Sequence, residues 1–277
     1  MNKFIPESIS YEDGTQIPLK EIRRRYADSK YGKILDDQLR WKIGIREGTT
    51  PDQWRKMFGA DVNNLLHLDL SHGLVRTVIR RFKGVELTQD DMEILLLTAQ
   101  THDWAEAVTG DKPFIYKNKD DEDEEVGILQ AIMEEFIPED KKSSVPKIPQ
   151  VISALNDKST LRYRIFNVVE NLGYLRTSKR AYEVRDKFED EQRESLHALA
   201  CQAFMTHKPT VIDYSHEFPE LAEFFLHPRS LPIWNDIQAD CDKIDYEKHY
   251  PGKGKHFEKK IPEVRKMWSD FLARNGC

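Results

Sequence analysis

The residues best suited to chemistry gather around one adjacent pair, His102-Asp103, in the run Thr101-His102-Asp103-Trp104-Ala105-Glu106. A buried His-Asp pair on a helix is costly unless something satisfies both groups, because desolvating an unpaired polar side chain is unfavourable. Glu106 follows close behind, so on a continuous helix all three side chains share a face. Asp111 comes just past Gly110, where a turn can bring it back toward that face. Neutral imidazole with carboxylate suits a divalent cation such as Mn, Co, Fe, Zn or Mg. Such an ion lowers the pKa of bound water, and a neighbouring acid can then move the proton. Further ligands are expected from other helices. His72, in Ser71-His72-Gly73, is one, and Glu170, an acid inside the apolar run Phe166 to Leu172, is the other, with Asp157 in reserve. His67 faces nearly opposite to His72 on a helix and is left unassigned.

The elements that must position these residues read as helices. Leu65, Leu66, Leu68, Leu74, Val75, Val78, Ile79 and Phe82 recur at helical spacing and stop at Lys83-Gly84. Thr88 is a good N-cap, and Asp90 and Asp91 complement the positive end of the helix that follows, which is expected to run to about Val108 and end at Gly110. The acidic stretch Lys119 to Glu125 is expected as a loop or first helical turn ahead of a helix over Val126 to Phe136. Further helices are expected over Leu161 to Leu175, Asp190 to Met205, Leu221 to Phe225, Ile233 to Tyr246 and Pro262 to Arg274. Alternation that would mark half-buried strands is scarce. The fold class expected is all-α.

At the His-Asp segment the chain resembles the HD-domain metal-dependent phosphohydrolase superfamily, most closely its bacterial 5′-deoxyribonucleotidase branch. The segment Thr101-His102-Asp103-Trp104-Ala105-Glu106-Ala107-Val108-Thr109-Gly110-Asp111 carries that branch's His-Asp, its Glu three residues on, and its Gly-Asp after a short spacer. The resemblance spans about residues 35 to 185 and implies an HD-domain helical bundle. It implies His72, His102 and Asp103 as metal ligands, Glu106 as the residue that helps activate water, and Asp111 as its support or the acid for the leaving oxygen. The family's fourth ligand, usually Asp, falls on Glu170 in Glu170-Asn171-Leu172-Gly173-Tyr174-Leu175. The family's phosphate-gripping Arg-Trp pair falls on Arg40-Trp41, with Arg46, Arg55 and Arg76 as rivals and Lys112 and Arg176 as secondary candidates. Binuclear members draw extra histidines from the interval between Asp103 and Glu170, where this chain has none, which implies one metal ion.

Composition sets the outer limits. The 277 residues suffice for one large domain or two modest ones. The organisation expected is an N-terminal extension over 1–34, an HD-type core over 35–185 and a C-terminal helical extension over 186–277. The 42 Lys and Arg against 48 Asp and Glu leave a net charge of −6, which argues against a general nucleic-acid binder. Arg23-Arg24-Arg25 and the basic stretch 253–260 are surrounded by acids and read as solvated faces. The longest apolar stretch, Ile94 to Leu97, is far short of the roughly 18 residues of a membrane span. The N-terminus lacks a signal-peptide apolar segment, and the three cysteines form neither a disulfide framework nor a metal knuckle, so a reducing cytoplasm is expected. Trp104 reads as helix packing.

The activity expected is hydrolysis of (deoxy)nucleoside 5′-monophosphates to nucleoside and phosphate, with one divalent metal ion, a small-molecule nucleotide as partner, and neither nucleic acid nor membrane. A (deoxy)nucleoside triphosphate triphosphohydrolase on the same scaffold is the nearest alternative. A non-catalytic protein in which metal holds helices around a nucleotide is the alternative of another class. The C-terminal third is open to use as a homodimer surface, a lid or a partner-binding module.

Overall fold

Helical spacing becomes helix throughout the residues that the computed structural model describes, which are 4–38, 63–112, 116–138 and 146–277. One small addition departs from the all-α expectation. The strands β1 (Ser8–Ser10) and β2 (Gln16–Pro18) pair antiparallel, with Ile9 opposite Ile17. Three-residue strands are too short to register as alternation. The chain divides into two compact units, which among the described residues part between Val169 and Glu170. That division falls inside a helix, so no proline, glycine or polar linker marks it.

The first unit contains α1 (Leu19–Ala27), α2 (Lys30–Asp37), α3 (Asn64–Arg81), α4 (Gln89–Thr101), α5 (Glu106–Thr109), α6 (Lys119–Phe136), α7 (Lys147–Asn156) and the start of α8 (Leu161–Val184). Helix α4 is its centre, because every residue from Met92 to Thr101 is buried. Thr88 caps it as expected and exchanges hydrogen bonds with Asp91 in a capping box. The acidic stretch after Asn118 is the first turn of α6, capped in the same way by Asn118 and Asp121.

The N-terminal residues belong to this core, since Ile9, Ile22, Tyr26 and Leu35 are wholly buried. A buried carboxylate ties them in. Glu93 on α4 accepts hydrogen bonds from the Ser10 backbone N–H at 2.7 Å, the Ser10 hydroxyl at 2.8 Å and Gln89 at 2.9 Å, with the buried Lys147 ammonium at 3.4 Å.

The second unit is organised on α9 (Asp190–Tyr214), with α10 (Ala222–Leu226), α11 (Leu231–Asp240), α12 (Tyr246–His249) and α13 (Gly254–Arg274) around it. Phe204, Phe225, Trp234, Trp268 and Phe271 make one aromatic cluster. Within it Lys208 is fully buried, donating to Gln238 Oε1 and, at 3.2 Å, to the Val264 carbonyl, with its ammonium 4.2 Å from the centre of the Phe204 ring. Cys201 and Cys241 are buried thiols, and Cys241 Sγ lies 3.1 Å from the Ile237 carbonyl. No helix among the described residues is long and apolar enough to cross a membrane.

Two stability measurements follow from these buried charges. Glu93→Ala removes the acceptor shared by Ser10, Gln89 and Lys147 and is expected to cost about 2–3 kcal/mol in urea unfolding. Burial lowers Lys208 to about 7, whereas an unfolded lysine titrates near about 10.4. Between those values the unfolded chain holds the extra proton, so Lys208 makes stability rise with pH, and its desolvation cost is complete below 7. Lys208→Met is expected to abolish that rise, changing the difference from wild type by up to about 1.4 kcal/mol per pH unit, read by urea unfolding from about pH 7 to pH 9.

Candidate metal centre

Helix α4 ends sooner than its apolar content suggests. The residues from His102 to Ala105 form turns, and the short α5 then carries Glu106. The Thr101 hydroxyl donates back to the Leu97 carbonyl at 3.0 Å, as the Thr98 hydroxyl does to the Ile94 carbonyl at 2.8 Å within the helix. Trp104 is pulled inward, stacked on Tyr26 at 4.0 Å with the rings within 1° of parallel, and edge-on to Phe136. It packs, as expected. The turn sets His102 and Asp103 on one side of this anchor and Glu106 just after it. Gly110 ends α5 with φ +79, a conformation that favours glycine, and the half-buried Asp111 follows.

The histidine that meets His102 is His67. Its Nε2 lies 3.2 Å from His102 Nε2, and the ligand atoms of His67, His102 and Glu170 all fall within 4.8 Å of one another. Asp103 joins them, with one oxygen 3.6 Å from His67 Nε2 and the other 3.4 Å from His102 Nε2. His102 Nδ1 is 3.2 Å from the Ala99 carbonyl. Donation there leaves Nε2 unprotonated, the tautomer a ligand needs. Two nitrogens bound at about 2.0–2.1 Å to one ion stand about 2.8–3.0 Å apart at octahedral angles and about 3.3–3.4 Å apart at tetrahedral ones, so the separation of the two rings fits a shared cation. Glu170 is the residue after Val169 on α8, one turn beyond Phe166, whose ring packs edge-on against His102.

His72 lies elsewhere on α3. Its ring is half-buried against the Leu96 backbone, and burial, with the Arg76 charge, holds it below the ordinary histidine range. Its Nδ1 is buried with no hydrogen-bond partner among the described residues. The helix explains the difference. Asn64, His67 and Ser71 follow at three- and four-residue steps and share one face with Leu68 and Val75. A step of five residues turns His72 about 140° away from His67. That short polar stripe on an apolar face was the available signal for His67.

Glu106 is buried beside the metal-type cluster. Asn64 Nδ2 donates to Glu106 Oε2 at 2.8 Å, and Gln38 Nε2 donates to its backbone carbonyl at 3.3 Å. Lys117 enters from the segment ahead of α6, with Nζ 3.9 Å from Glu106 Oε1 and 2.7 Å from Glu125 Oε2. Burial alone would lower Lys117, but the Glu125 hydrogen bond and the Glu125, Glu106 and Asp103 charges outweigh it and raise it. Burial raises Glu125 despite its bond to Lys117, and the Asp103 charge adds to that rise. Burial likewise pushes the Tyr26 hydroxyl up, reinforced by Asp103 and Glu106. Asn64, Lys117 and Glu125 were not singled out in the sequence.

The remaining expected residues disperse. Lys112 forms a surface ion pair with Asp121 at 2.5 Å, Arg76 pairs with Glu7 at 2.7 Å, and Asp157 is exposed and bonded to Ser159. Arg176 is exposed on α8. Arg40, Trp41, Arg46 and Arg55 lie outside the described residues.

Comparison with known proteins adds no relative. No family model, curated protein or solved structure matches the chain. The geometry therefore stands by itself as a candidate metal-binding site, and two alanine variants separate its histidines. His67→Ala is expected to weaken Mn, Co or Zn binding by about 100-fold or more, read by isothermal titration calorimetry. His72→Ala is expected to leave it within about twofold of wild type.

Proposed function

We propose that the chain is a metal-dependent phosphohydrolase acting on (deoxy)nucleoside 5′-monophosphates, in the manner implied by its resemblance to the HD-domain superfamily. The observation that carries this reading is Glu106, a buried carboxylate held by Asn64 beside the cluster of His67, His102, Asp103 and Glu170. A metal that only fastens helices together has no use for a further buried acid at its side, and keeping one there costs desolvation.

His67 and His102 would hold the ion through Nε2, and Asp103 and Glu170 through carboxylate oxygens, the mixed donor set that suits a borderline divalent cation. When bound, that cation supplies Lewis acidity toward a phosphoryl oxygen and lowers the pKa of coordinated water. Glu106 accepts a proton from the attacking water at Oε1, its other oxygen being engaged by Asn64. Asp111, close behind it in sequence, returns a proton to the leaving ribose oxygen or supports Glu106. Arg40 and Trp41 take the substrate phosphate in this scheme.

The deciding assay incubates the metal-loaded protein with a panel of nucleoside mono-, di- and triphosphates and identifies products by mass spectrometry. Nucleoside and phosphate from monophosphates are expected. Nucleoside with tripolyphosphate would instead make it a triphosphohydrolase, and no turnover with metal bound would overturn the enzymatic reading. Glu106→Ala is expected to keep full metal content while lowering kcat by about 10²–10⁴-fold. Turnover at the wild-type rate in that variant would remove Glu106 from the mechanism.

A further inference from the structure

Two of the three cysteines are buried side by side in the second unit. Cys201 lies on α9 and Cys241 in the turn that follows α11, 40 positions away, and both are fully buried. Their thiols lean on one acceptor. The Ile237 carbonyl lies 3.1 Å from Cys241 Sγ and 3.9 Å from Cys201 Sγ. Cys241 Sγ is also 4.0 Å from the carbonyl of Cys201 itself. The two thiols are in hydrogen-bond contact, and that contact, with burial behind it, holds Cys201 well above the ordinary thiol range. The backbone at Cys241 is pinned from a third element, because the Tyr246 hydroxyl of α12 donates to the Cys241 carbonyl at 3.0 Å.

A disulfide asks two sulfurs to approach to about 2.05 Å with little movement of the backbone. Thiols already in contact, on elements already packed together, are placed for that step. Burial selects the oxidant. A bulky disulfide such as glutathione disulfide must pass through a mixed disulfide, for which wholly buried sulfur leaves no room. Hydrogen peroxide is small and uncharged, and it adds a single oxygen. Burial also keeps thiolate scarce, so the first step is slow compared with an exposed cysteine.

We infer that Cys201 and Cys241 form a reversible disulfide when the protein meets a hydroperoxide. In the first step the thiolate of one cysteine attacks a peroxide oxygen. An S–O bond forms, the O–O bond breaks, and the departing hydroxide takes up the thiol proton to become water. In the second step the other sulfur attacks the sulfenic acid. An S–S bond forms, the S–O bond breaks, and hydroxide leaves with the second thiol proton as water. Two thiols are oxidised to one disulfide while one peroxide is reduced to two waters. The contact between the sulfurs governs the second step, because it intercepts the sulfenic acid before a further oxygen can add. The cross-link joins α9 to the end of α11, and a dithiol reductant returns both thiols. This inference is independent of the metal centre and of the proposed hydrolase activity.

The test uses the full chain carrying Cys277→Ser, which removes the exposed third thiol. Folded protein is exposed to hydrogen peroxide, catalase destroys the excess, and the chain is unfolded in N-ethylmaleimide and weighed without reductant. Untreated protein is expected to take up two maleimides. Treated protein is expected to take up none, to weigh two hydrogens less, and to yield on digestion a peptide pair joining Cys201 to Cys241. Dithiothreitol is expected to restore both maleimides. The cross-linked form is expected to unfold at a higher urea concentration than the reduced form, because the closed loop restricts the unfolded chain.

Two maleimides still taken up after an exposure about 100-fold longer than Cys277 needs in wild type would overturn the inference. Sulfinic or sulfonic acid on either cysteine in place of the disulfide would overturn it equally. So would a cross-link that appears only when the peroxide is added in urea, since the native contact would then have no part in it.

Discussion

Two ring nitrogens aimed at each other across 3.2 Å, with a carboxylate against both, are the constraint around which the first unit is arranged. If both rings are neutral and their near nitrogens unprotonated, the lone pairs repel. A proton or a cation between them converts that repulsion into attraction. Everything close by serves to keep the rings there. The Ala99 carbonyl fixes one ring, Phe166 packs against it, and the Trp104–Tyr26 stack pins the turn that carries it. The fold therefore concentrates polar cost at one place and surrounds that place with well-packed apolar surface.

Buried charge recurs away from the centre with a different purpose. Glu93 gathers donors from an N-terminal strand and two helices, so hydrogen bonds join the burial of Ile9 in securing the ribbon to the central helix. Lys208 sits among aromatic rings in the second unit and is satisfied by one amide and one carbonyl. Both follow the rule that buried polar groups are hydrogen-bonded. Among the described residues neither belongs to a group of three histidine, cysteine or carboxylate side chains close enough to share an ion, which is what distinguishes the metal centre from them.

Much of this was legible beforehand, and the failures have physical causes. The helix start at Thr88 was readable because capping is local chemistry, written in residues three positions apart. His102 and Glu170, two of the three residues whose ligand atoms converge, were readable because ionisable residues in apolar runs are expensive. His67 was passed over for His72 because the choice turns on helix phase, and only the contacts of Asn64 and Ser71 fix that phase. The end of α4 at Thr101 was hidden because no glycine or proline marks it. The burial of Trp104 against Tyr26 and Phe136 accompanies it, and that is a tertiary effect. Lys117 gave no local sign, since the carboxylates beside it come from other elements. The division at Glu170 was hidden for the same kind of reason, as helix α8 runs through it without interruption.

The turn after α4 has a consequence for how such a chain can vary. Along six consecutive positions, His102 and Asp103 face the centre, Trp104 and Ala105 are core, Glu106 returns to the centre and Ala107 is core again. Partners from different elements hold each assignment, so none can slide to a neighbouring position. Inserting or deleting one residue here would send a tryptophan toward the ligands and an aspartate toward the Tyr26 ring. Length in this stretch is therefore fixed more tightly than identity. An alanine there can become another small residue, but the spacing between the histidine and the glutamate cannot drift.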